Sequence, residues 1–425
     1  MHYRPVVDYV PLPVALDPLW TMIFMAVFIA TIALVARRAS YGIAALVVTQ
    51  PFLFSRYLGD TTITLPKVVL IGVLVGLGTQ MEWRDLLRAR PVRAMLIALA
   101  VLTAVVALTL TVATYRGEAL RETLKWIEYL VLFWIVCVAY RRDPNDALLL
   151  RTWAATAIVV AALSLAQEIV GAPWGVSING VVVPRISGPL EGPNQLAAYL
   201  EIVLAVLCVW QGRSRLVSVA IVLALWTLAL TLSRAGIVCA AIAIAVVLAF
   251  DAPLRRRLVA PLATGVALGA ASVGAWIGVT YVPGILPPPP SPVYAGGVGY
   301  RAELWRAAIA LWRESPLLGV GAGNYERELE RVGLFGVRTH ASSWYLQSLA
   351  EGGILLLAAT IGLACTTLAT LGARLKNAAP WQLAAFAASL ALVVHQLADY
   401  LVFYPKVGAT WWIAVALGAT SVLSR

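Results

Sequence analysis

The sequence predicts an all-α protein that crosses a membrane many times. Its composition is 61% hydrophobic and only 12% charged, and its mean hydropathy is +0.85 over 425 residues. A soluble domain of this length cannot remove so much apolar surface from water. The apolar residues also form continuous runs instead of the alternating pattern of a membrane β-barrel. We therefore expect a polytopic bundle of transmembrane helices.

The individual spans are predicted from apolar runs, since about 20 apolar residues in a helix cross the hydrocarbon layer. We expect about twelve transmembrane helices, or thirteen if the first run also spans. The runs lie near 20–36, 41–56, 63–80, 94–114, 124–140, 147–169, 193–210, 216–233, 235–250, 258–280, 344–372, 381–398 and 407–423.

Clusters of Arg and Lys predict the orientation, because cytoplasmic loops collect basic residues. Such clusters follow every second run, at 37–38, 84–93, 141–142, 212–215, 255–257 and 374–376. The opposite loops then face the periplasm or the exterior, and the longest of them covers 281–343. We therefore expect three parts: N-terminal helices at 1–280, this large loop at 281–343, and C-terminal helices at 344–425.

The large loop is predicted to be partly helical. It opens with "VPGILPPPPSPVYAGGVGY", which is too rich in Pro and Gly for a regular helix. In the following "RAELWRAAIALWRESP", Leu304, Ala308 and Leu311 share one helical stripe, and Pro316 ends the helix. Trp-rich amphipathic helices of this kind often lie in the membrane interface. We interpret the next segment, "GVGAGNY", as a turn.

Three arginines stand near membrane level on the predicted outer side. Arg185 lies in "VVVPRISGPLEGPNQLAAY", Arg234 lies between two apolar runs, and Arg301 opens the loop helix. An arginine at such a depth is costly unless it finds a partner, and a guanidinium group binds phosphate oxygens bidentately. Together they predict a phosphate or pyrophosphate site. The alternative for Arg234 is snorkelling to lipid headgroups, and the other loop arginines fit a solvated helix face.

His340 is the one histidine of the sequence that lies in a predicted outer loop. Histidine titrates near neutrality and can take a proton from a hydroxyl group in a transition state. A neighbouring cation such as Arg338 favours the neutral ring, which suits a base. His340 is therefore a candidate general base, and its alternative is an ordinary histidine at the membrane interface.

Metal and nucleotide chemistry are poorly supported by the sequence. It contains no HExxH, CxxC or Asp-x-Asp pattern and no phosphate-binding P-loop, so we expect neither a metal site nor a cofactor. The four cysteines, at 137, 208, 239 and 365, lie in apolar runs and are interpreted as small buried hydrophobic residues. A transport function remains open, because Glu168, Glu201, His395 and Asp399 are ionisable residues of the kind that mark ion paths.

Three local patterns, in this order, resemble the O-antigen ligase/polymerase superfamily of bacterial inner-membrane proteins. "SGPLEGPNQLAAYL" at 187–200 is similar to its G-x-x-x-x-P-N-x-x-A pattern at the start of a span, and "LTLSRAG" at 230–236 is similar to its T-x-S-R signature. The segments 301–325 and 339–356 resemble its loop motif, which runs from R-x-x-x-W to H-[NS]-x-[YFW]-L-x-x-x-x-E-x-G. The likeness covers most of the chain.

This resemblance implies a GT-C type helical fold and a glycosyltransferase of the bacterial inner membrane with its active site on the periplasmic side. Members of the superfamily use an undecaprenyl-pyrophosphate-linked glycan as the donor. A ligase passes the glycan to a hydroxyl group of the lipid A–core, in an inverting reaction that needs no metal and no cofactor. No nucleic acid partner is implied. We expect a ligase. The alternatives are an O-antigen polymerase, a protein O-oligosaccharyltransferase of the same superfamily or, from another class, a lipid or ion transporter.

The resemblance also assigns roles to individual residues. Arg234 matches the signature arginine and Arg301 the arginine of the loop motif, both as pyrophosphate ligands, and His340 matches the proposed base. Arg185 lies where a further phosphate-binding arginine is expected. The possible supporting residues are Arg338, Tyr345 and Asp399.

Overall fold

The computed structural model describes residues 15–52, 54–58, 61–78, 87–178, 181–210, 214–280, 298–373 and 375–422. Nearly all regular structure within these ranges is helical, which confirms the all-α class. The helices are α1 (Pro18–Arg37), α2 (Ala39–Thr49), α3 (Leu65–Leu77), α4 (Arg90–Leu108), α5 (Arg116–Arg142), α6 (Asp146–Val170), α7 (Pro193–Val209), α8 (Arg215–Leu230), α9 (Arg234–Phe250), α10 (Ala252–Thr280), α11 (Val298–Glu314), α12 (Tyr325–Glu328), α13 (Trp344–Gly372), α14 (Pro380–His395) and α15 (Pro405–Ser421). Two antiparallel hairpins join β1 (Ser55–Leu58) to β2 (Thr61–Thr64) and β3 (Trp174–Ile178) to β4 (Val181–Arg185).

Each apolar run of the sequence coincides with a helix, and the run at 344–372 has the same bounds as α13. The second run is the exception in length. It was predicted as one span over 41–56, but α2 ends at Thr49 and the chain continues into β1. The physical reason is Pro51, which has no N–H group for a helical hydrogen bond and restricts the residue before it.

The helices are those of a multi-pass membrane protein. Six helices in the described ranges are long and apolar enough to cross a membrane: Pro18–Arg37, Arg90–Thr111, Arg116–Arg142, Asp146–Val170, Pro253–Trp276 and Trp344–Gly372. Six further apolar helices have 10–17 residues. The total of about twelve or thirteen spans, the GT-C type and the three-part division of the chain stay predictions.

Two helices lie at the centre of the bundle. In α7 every residue except Asn194 is buried, and in α15 every residue after Pro405 is buried. A helix that is apolar on all sides needs protein neighbours on all sides, which α7 and α15 find in α14 and in each other. The outer helix α1 instead exposes Met22, Met25 and Ile29, as expected of a surface that faces lipid.

Helix α13 is kinked at Gly353, and the loop before α13 is hydrogen-bonded to the helix at this kink. Gly353 has φ +60°, outside the helical region, and the carbonyl groups of Ala350 and Glu351 just before it accept hydrogen bonds from the N–H groups of Val320 (3.0 Å) and Gly321 (2.9 Å). Both donors belong to the segment "GVGAGNY", whose three glycines all have positive φ. The predicted turn is thereby confirmed, and it is joined to α13 through backbone hydrogen bonds.

The described part of the large loop has its own small core. The predicted stripe of Leu304, Ala308 and Leu311 is buried, where it packs with Tyr325 and Leu329. The apolar face of α11 is therefore covered by the loop and by the start of α13. The Pro/Gly-rich opening of the loop, predicted to be irregular, lies mostly at 281–297, outside the described residues.

Candidate active site

Arg185 is the buried centre of the candidate site. It is the last residue of β4, where it pairs in register with Trp174, and its side chain turns into the bundle. Its Nε donates to the carbonyl oxygen of Thr231 at 2.7 Å, and its Nη2 donates to Oδ1 of Asn194 at 2.9 Å. The β3–β4 hairpin therefore places the guanidinium group of Arg185 where it is hydrogen-bonded both to the start of α7 and to the end of α8.

Asn194 connects this arginine to Asp399. While its Oδ1 accepts from Arg185, its Nδ2 donates to Oδ2 of Asp399 at 2.8 Å. The other carboxylate oxygen of Asp399 accepts the backbone N–H of Tyr400 at 2.8 Å. An amide side chain can donate and accept at the same time, so Asn194 bridges a cation and an anion that are both buried.

His340 lies next to Asp399. Its Nε2 is 3.8 Å from Oδ1 of Asp399 and 3.3 Å from the hydroxyl oxygen of Tyr404. The backbone places the two together, because the N–H of Trp344 at the start of α13 donates to the carbonyl groups of Gln396 and Asp399. A continuous path of polar contacts thus runs from Arg185 through Asn194 and Asp399 to His340.

The contacts of the His340 ring indicate its tautomer. Nδ1 accepts a hydrogen bond from the backbone N–H of Ser342 at 3.1 Å, and Ser342 has a positive φ of 49°, which is uncommon for a residue with a side chain. A neutral ring whose Nδ1 accepts carries its proton on Nε2. In this arrangement Nε2 is a donor that faces Tyr404 and Asp399.

The structure brings the three predicted arginines into one electrostatic neighbourhood. The charges of Arg301 and Arg234 both act on Arg185, as does the opposite charge of Asp399. Three arginines against one carboxylate leave an excess of two positive charges. Among the described residues, neither Arg234 nor Arg301 has a hydrogen-bond or ion-pair partner in the protein, so both are available to an anionic ligand.

The protonation of Arg185 follows from its surroundings. Burial lowers its pKa to about 10, Asp399 opposes the shift, and the two other arginines add to it. The guanidinium group is therefore charged at neutral pH, and its net repulsion from Arg301 and Arg234 decreases when an anion binds between them.

Two predicted supporting residues lie to the side of this path. The hydroxyl group of Tyr345 donates to the carbonyl oxygen of Val393 at 2.9 Å, so it ties α13 to α14. Arg338 is exposed, and its guanidinium group contacts the carbonyl oxygen of Glu326 and the carboxylate of Glu330, both at 3.3 Å. Asp399, the third supporting residue, belongs to the path itself.

Sequence reasoning assigned no role to three residues that the structure places in this neighbourhood. Asn194 was part of a quoted motif, but its bridging position depends on a partner 205 positions away. Tyr404 contacts the His340 ring. Lys406 is buried, donates to the carbonyl oxygen of Pro189 at 2.7 Å and holds the segment before α7 against the start of α15.

A mostly apolar cavity of about 650 Å³ lies between α6, α8 and α10. Leu230 lines it, and the carbonyl group of the next residue, Thr231, accepts the hydrogen bond from Arg185. The indole N–H groups in its wall are paired, that of Trp226 with Ser272 at 2.8 Å and that of Trp276 with Glu168.

A polar cavity of about 440 Å³ lies near His340, to which its lining residues Phe403 and Gln347 are connected through ring and backbone contacts. It is formed by the start of α5, the segment around α12, the first turns of α13 and Phe403. Its lining residues are Glu118, Arg121, Glu122, Gly323, Glu326, Arg327, Arg338, Gln347, Glu351 and Phe403.

One group of side chains in the described ranges is close enough to hold a metal ion. Donor atoms of Glu201, Cys239 and His395 all lie within 4.8 Å of one another, and all three residues are buried. Glu201 and His395 already contact each other, with Oε2 and Nδ1 at 2.9 Å. Residues from three separate helices form this group, which is why no local sequence pattern indicated it. Of the four cysteines, Cys365 is exposed, so its interpretation as buried was wrong.

Comparison with known proteins identifies a family over part of the chain. Residues 219–361 match the model of a protein family described as O-antigen ligase. The matched segment contains Arg234, Arg301 and His340, whereas Arg185 and Asp399 lie outside it. No curated protein matches the chain. The match supports the resemblance over this segment, which contains the second and third sequence motifs, whereas the first motif at 187–200 lies outside it.

Proposed function

Because the match over residues 219–361 supports membership of the O-antigen ligase family, which implies a glycosyltransferase-type activity, we propose that this protein is an O-antigen ligase. It transfers a glycan from undecaprenyl pyrophosphate to a hydroxyl group of the lipid A–core at the periplasmic face of the bacterial inner membrane. The observation that carries this proposal is the polar path from Arg185 through Asn194 and Asp399 to His340.

The arginine end of the path suits the donor. A glycan linked to a prenyl pyrophosphate carries two phosphate groups, and its departure leaves more negative charge on the pyrophosphate. Arg185, Arg234 and Arg301 supply an excess of positive charge there. Preorganised cations aimed at a developing anion stabilise the transition state, so the leaving group needs no metal ion.

The other end of the path suits proton removal from the acceptor. The His340–Asp399 pair offers two acceptors for this proton. His340 takes it at Nε2 when the ring proton resides on Nδ1, which requires its contact with the N–H of Ser342 to open. Asp399 can take it without that change, and His340 then acts by donating to the carboxylate.

The transfer is written as one displacement. The acceptor oxygen forms a bond to the anomeric carbon while the bond from this carbon to the pyrophosphate oxygen breaks. The acceptor proton goes to the His340–Asp399 pair, and the electron pair of the broken bond stays with the pyrophosphate. A single displacement inverts the anomeric centre and involves no covalent bond to the enzyme.

The apolar cavity beside Arg185 fits the prenyl chain of the donor. It lies at the ends of α6, α8 and α10, and it adjoins the arginine through consecutive residues, Leu230 and Thr231. The chain is in hydrocarbon both in the bilayer and in the cavity, so the cavity positions the donor without a hydrophobic driving force. This position leaves the pyrophosphate at the arginines while the chain remains in an apolar environment.

The proposal includes the predicted topology. It has a GT-C type bundle of about twelve or thirteen spans, in which helices at 1–280 and 344–425 flank a periplasmic loop at 281–343. The support is the gathering of Arg185, Arg301 and His340 at one end of the helices, which is the end opposite to the predicted cytoplasmic loops.

Reconstitution tests this function. The purified protein is mixed with prenyl-pyrophosphate-linked glycan and with either lipid A–core or a repeat-unit acceptor, in the presence and absence of EDTA. We expect lipid A–core to gain the mass of the glycan with the same rate in both conditions, because the proposed steps use side chains alone. Loss of activity in EDTA that a divalent ion restores would contradict the metal-independent mechanism.

The acceptor decides among the alternatives. Mass gained only by the repeat unit identifies a polymerase, and mass gained by a protein hydroxyl identifies a protein O-oligosaccharyltransferase. A lipid or ion transporter would modify neither acceptor. The transport alternative is favoured by one observation, the buried contact between Glu201 and His395, since buried ionisable pairs within membrane helices also mark ion paths.

A further inference from the structure

We propose that the polar cavity near His340 is the acceptor subsite, and that it binds a hydroxyl-rich saccharide whose bound part carries no phosphate. This inference deepens the proposed function and rests on it for the reaction, but the binding site can be tested separately. It is carried by the size, lining and position of the cavity.

The cavity has the form of a small-molecule site. Its volume of about 440 Å³ falls within the range of roughly 300–1,000 Å³ that ligand pockets occupy. Its floor is fixed, since Gln347 and Glu351 are almost fully buried and bonded to each other at 2.7 Å. The fixed floor belongs to α13, the helix that begins directly after the His340 segment.

The rim consists of ion pairs that can change partners. Arg327 contacts Glu118 at 2.9 Å, and Arg121 contacts the same carboxylate at 3.1 Å. Such exposed pairs add little to the stability of a fold, so a ligand can replace one partner at little cost. Carboxylates then accept hydrogen bonds from sugar hydroxyl groups, and guanidinium groups donate to hydroxyl oxygens.

The charge of the lining distinguishes this cavity from the donor site. Four carboxyl side chains, from Glu118, Glu122, Glu326 and Glu351, line it with three guanidinium groups, from Arg121, Arg327 and Arg338, and the ammonium group of Lys125 contacts Glu122 at 2.7 Å. These groups leave no excess of positive charge for a diphosphate, unlike the arginines around Arg185. An uncharged sugar surface needs no such excess, which is why the bound part of the acceptor is assigned no phosphate.

The position of the cavity fits a hydroxyl group about to react. Phe403, which lines the cavity, has its ring centroid 6.0 Å from that of His340. Gln347 also lines it, and its side chain accepts the N–H of Ala341, the residue after His340, at 2.7 Å. A sugar held by the floor therefore lies against the wall that carries His340.

The test replaces cavity carboxylates by amides of the same shape. Glu122→Gln and Glu326→Gln are each compared with wild type for the KM of lipid A–core and for the KM of the prenyl-pyrophosphate donor. Because a hydrogen bond to a charged group is lost, we expect the acceptor KM to rise about tenfold while the donor KM and kcat change less than about twofold. The matched control, Glu314→Gln, removes a loop carboxylate that pairs with Arg331 outside the cavity and should leave both KM values unchanged.

A binding measurement keeps the inference testable if no transfer is observed. Core oligosaccharide freed from lipid A, and repeat-unit oligosaccharide in a second arm, are titrated into the purified protein by calorimetry. Binding of either that weakens about tenfold in Glu122→Gln supports the subsite and identifies its source. Unchanged binding or an unchanged acceptor KM in both variants overturns the subsite. Absence of transfer by wild type, with specific binding intact, overturns the proposed function alone.

Discussion

The two cavities beside the polar path differ in the environment that each offers. The cavity at Arg185 is walled by apolar residues of α6, α8 and α10, whereas the cavity near His340 is lined by carboxylates and guanidinium groups. The first suits a hydrocarbon chain and the second suits hydroxyl groups.

In the proposed reaction the two cavities hold different parts of the two substrates. A donor whose chain enters the apolar cavity brings its pyrophosphate to the arginines, and the acceptor sugar binds in the polar cavity. The proposed inversion requires the acceptor hydroxyl group and the leaving group to lie on opposite faces of the donor sugar, so the variants below test the two cavities separately.

The largest effect is expected from His340→Ala, because positioned acid–base groups contribute roughly 10²–10⁴-fold to a rate. The glycan-transfer rate should fall by that factor while the protein still inserts and folds, as judged by its yield from membranes and its thermal melting. The matched change Tyr345→Phe removes a hydroxyl group that contacts only the neighbouring helix in the described structure, and it should cost little. A transfer rate of wild-type size in His340→Ala would remove His340 from the mechanism.

Amide variants separate the two members of the pair. If Asp399 takes the proton, Asp399→Asn should lower the transfer rate more than His340→Gln does, and if His340 takes it the order should be reversed.

The next effect concerns the donor side alone. Arg234→Ala or Arg301→Ala removes a guanidinium group that has no hydrogen bond or ion pair with the described residues. Each hydrogen bond to a charged group contributes about 1.5–3 kcal/mol, or roughly 10–100-fold. The donor KM should rise by this factor and the acceptor KM should not. Arg306→Ala is the control, since Arg306 is an exposed arginine of the same helix as Arg301. An equal rise of the donor KM and the acceptor KM would contradict separate donor and acceptor sites.

A smaller effect is expected when the apolar cavity is filled. Ala162→Phe places a ring where the prenyl chain is proposed to lie, so part of the chain loses its packing against the cavity wall, which corresponds to roughly two- to fivefold in affinity. The donor KM should rise for a long-chain donor and stay constant for a short-chain one. Ala267→Phe, on an exposed face of α10 away from the cavity, provides the control. Equal effects on both chain lengths would contradict this location for the chain.

The smallest expected effect is a rise of the donor KM at alkaline pH. Since burial lowers the pKa of Arg185 to about 10, its charge is present below that pH and is lost as the pH rises through it. The donor KM should therefore begin to rise near pH 10, while kcat at saturating donor changes less because the bound anion keeps the group protonated. In Arg185→Gln the donor KM should be high at every pH and should not rise further near pH 10. A rise near pH 10 that persists in this variant would have to come from another titrating group.

The helices were largely predictable from the sequence because hydrophobicity alone determines where a span can form. The bounds of α13 were obtained without error, and the second run was overextended only because its apolar character continues past Pro51. The hairpin that carries Arg185 was missed. Its signal was present in "GVSINGVVVPR", where Asn-Gly separates two short runs of β-branched residues, a pattern typical of a tight hairpin turn.

The members of the site were predictable by type and the contacts among them were not. Arg234 was singled out as a cation with no acid near it in sequence, and Arg185 and Arg301 as arginines near membrane level, and the charges of Arg234 and Arg301 both act on Arg185. The path between Arg185 and His340 depends on Asn194, an uncharged residue that only a folded chain brings to Asp399. No periodicity or local motif encodes a contact across 205 positions.

The kink at Gly353 links the large loop to the rest of the site. At this kink the loop turn is hydrogen-bonded to α13, and α11, which carries Arg301, packs against the same helix. The N–H group of Trp344, at the start of α13, is in turn bonded to the carbonyl groups of Gln396 and Asp399. Arg301, His340 and Asp399 are therefore all held by one helix, so a change at the kink would shift all three side chains together.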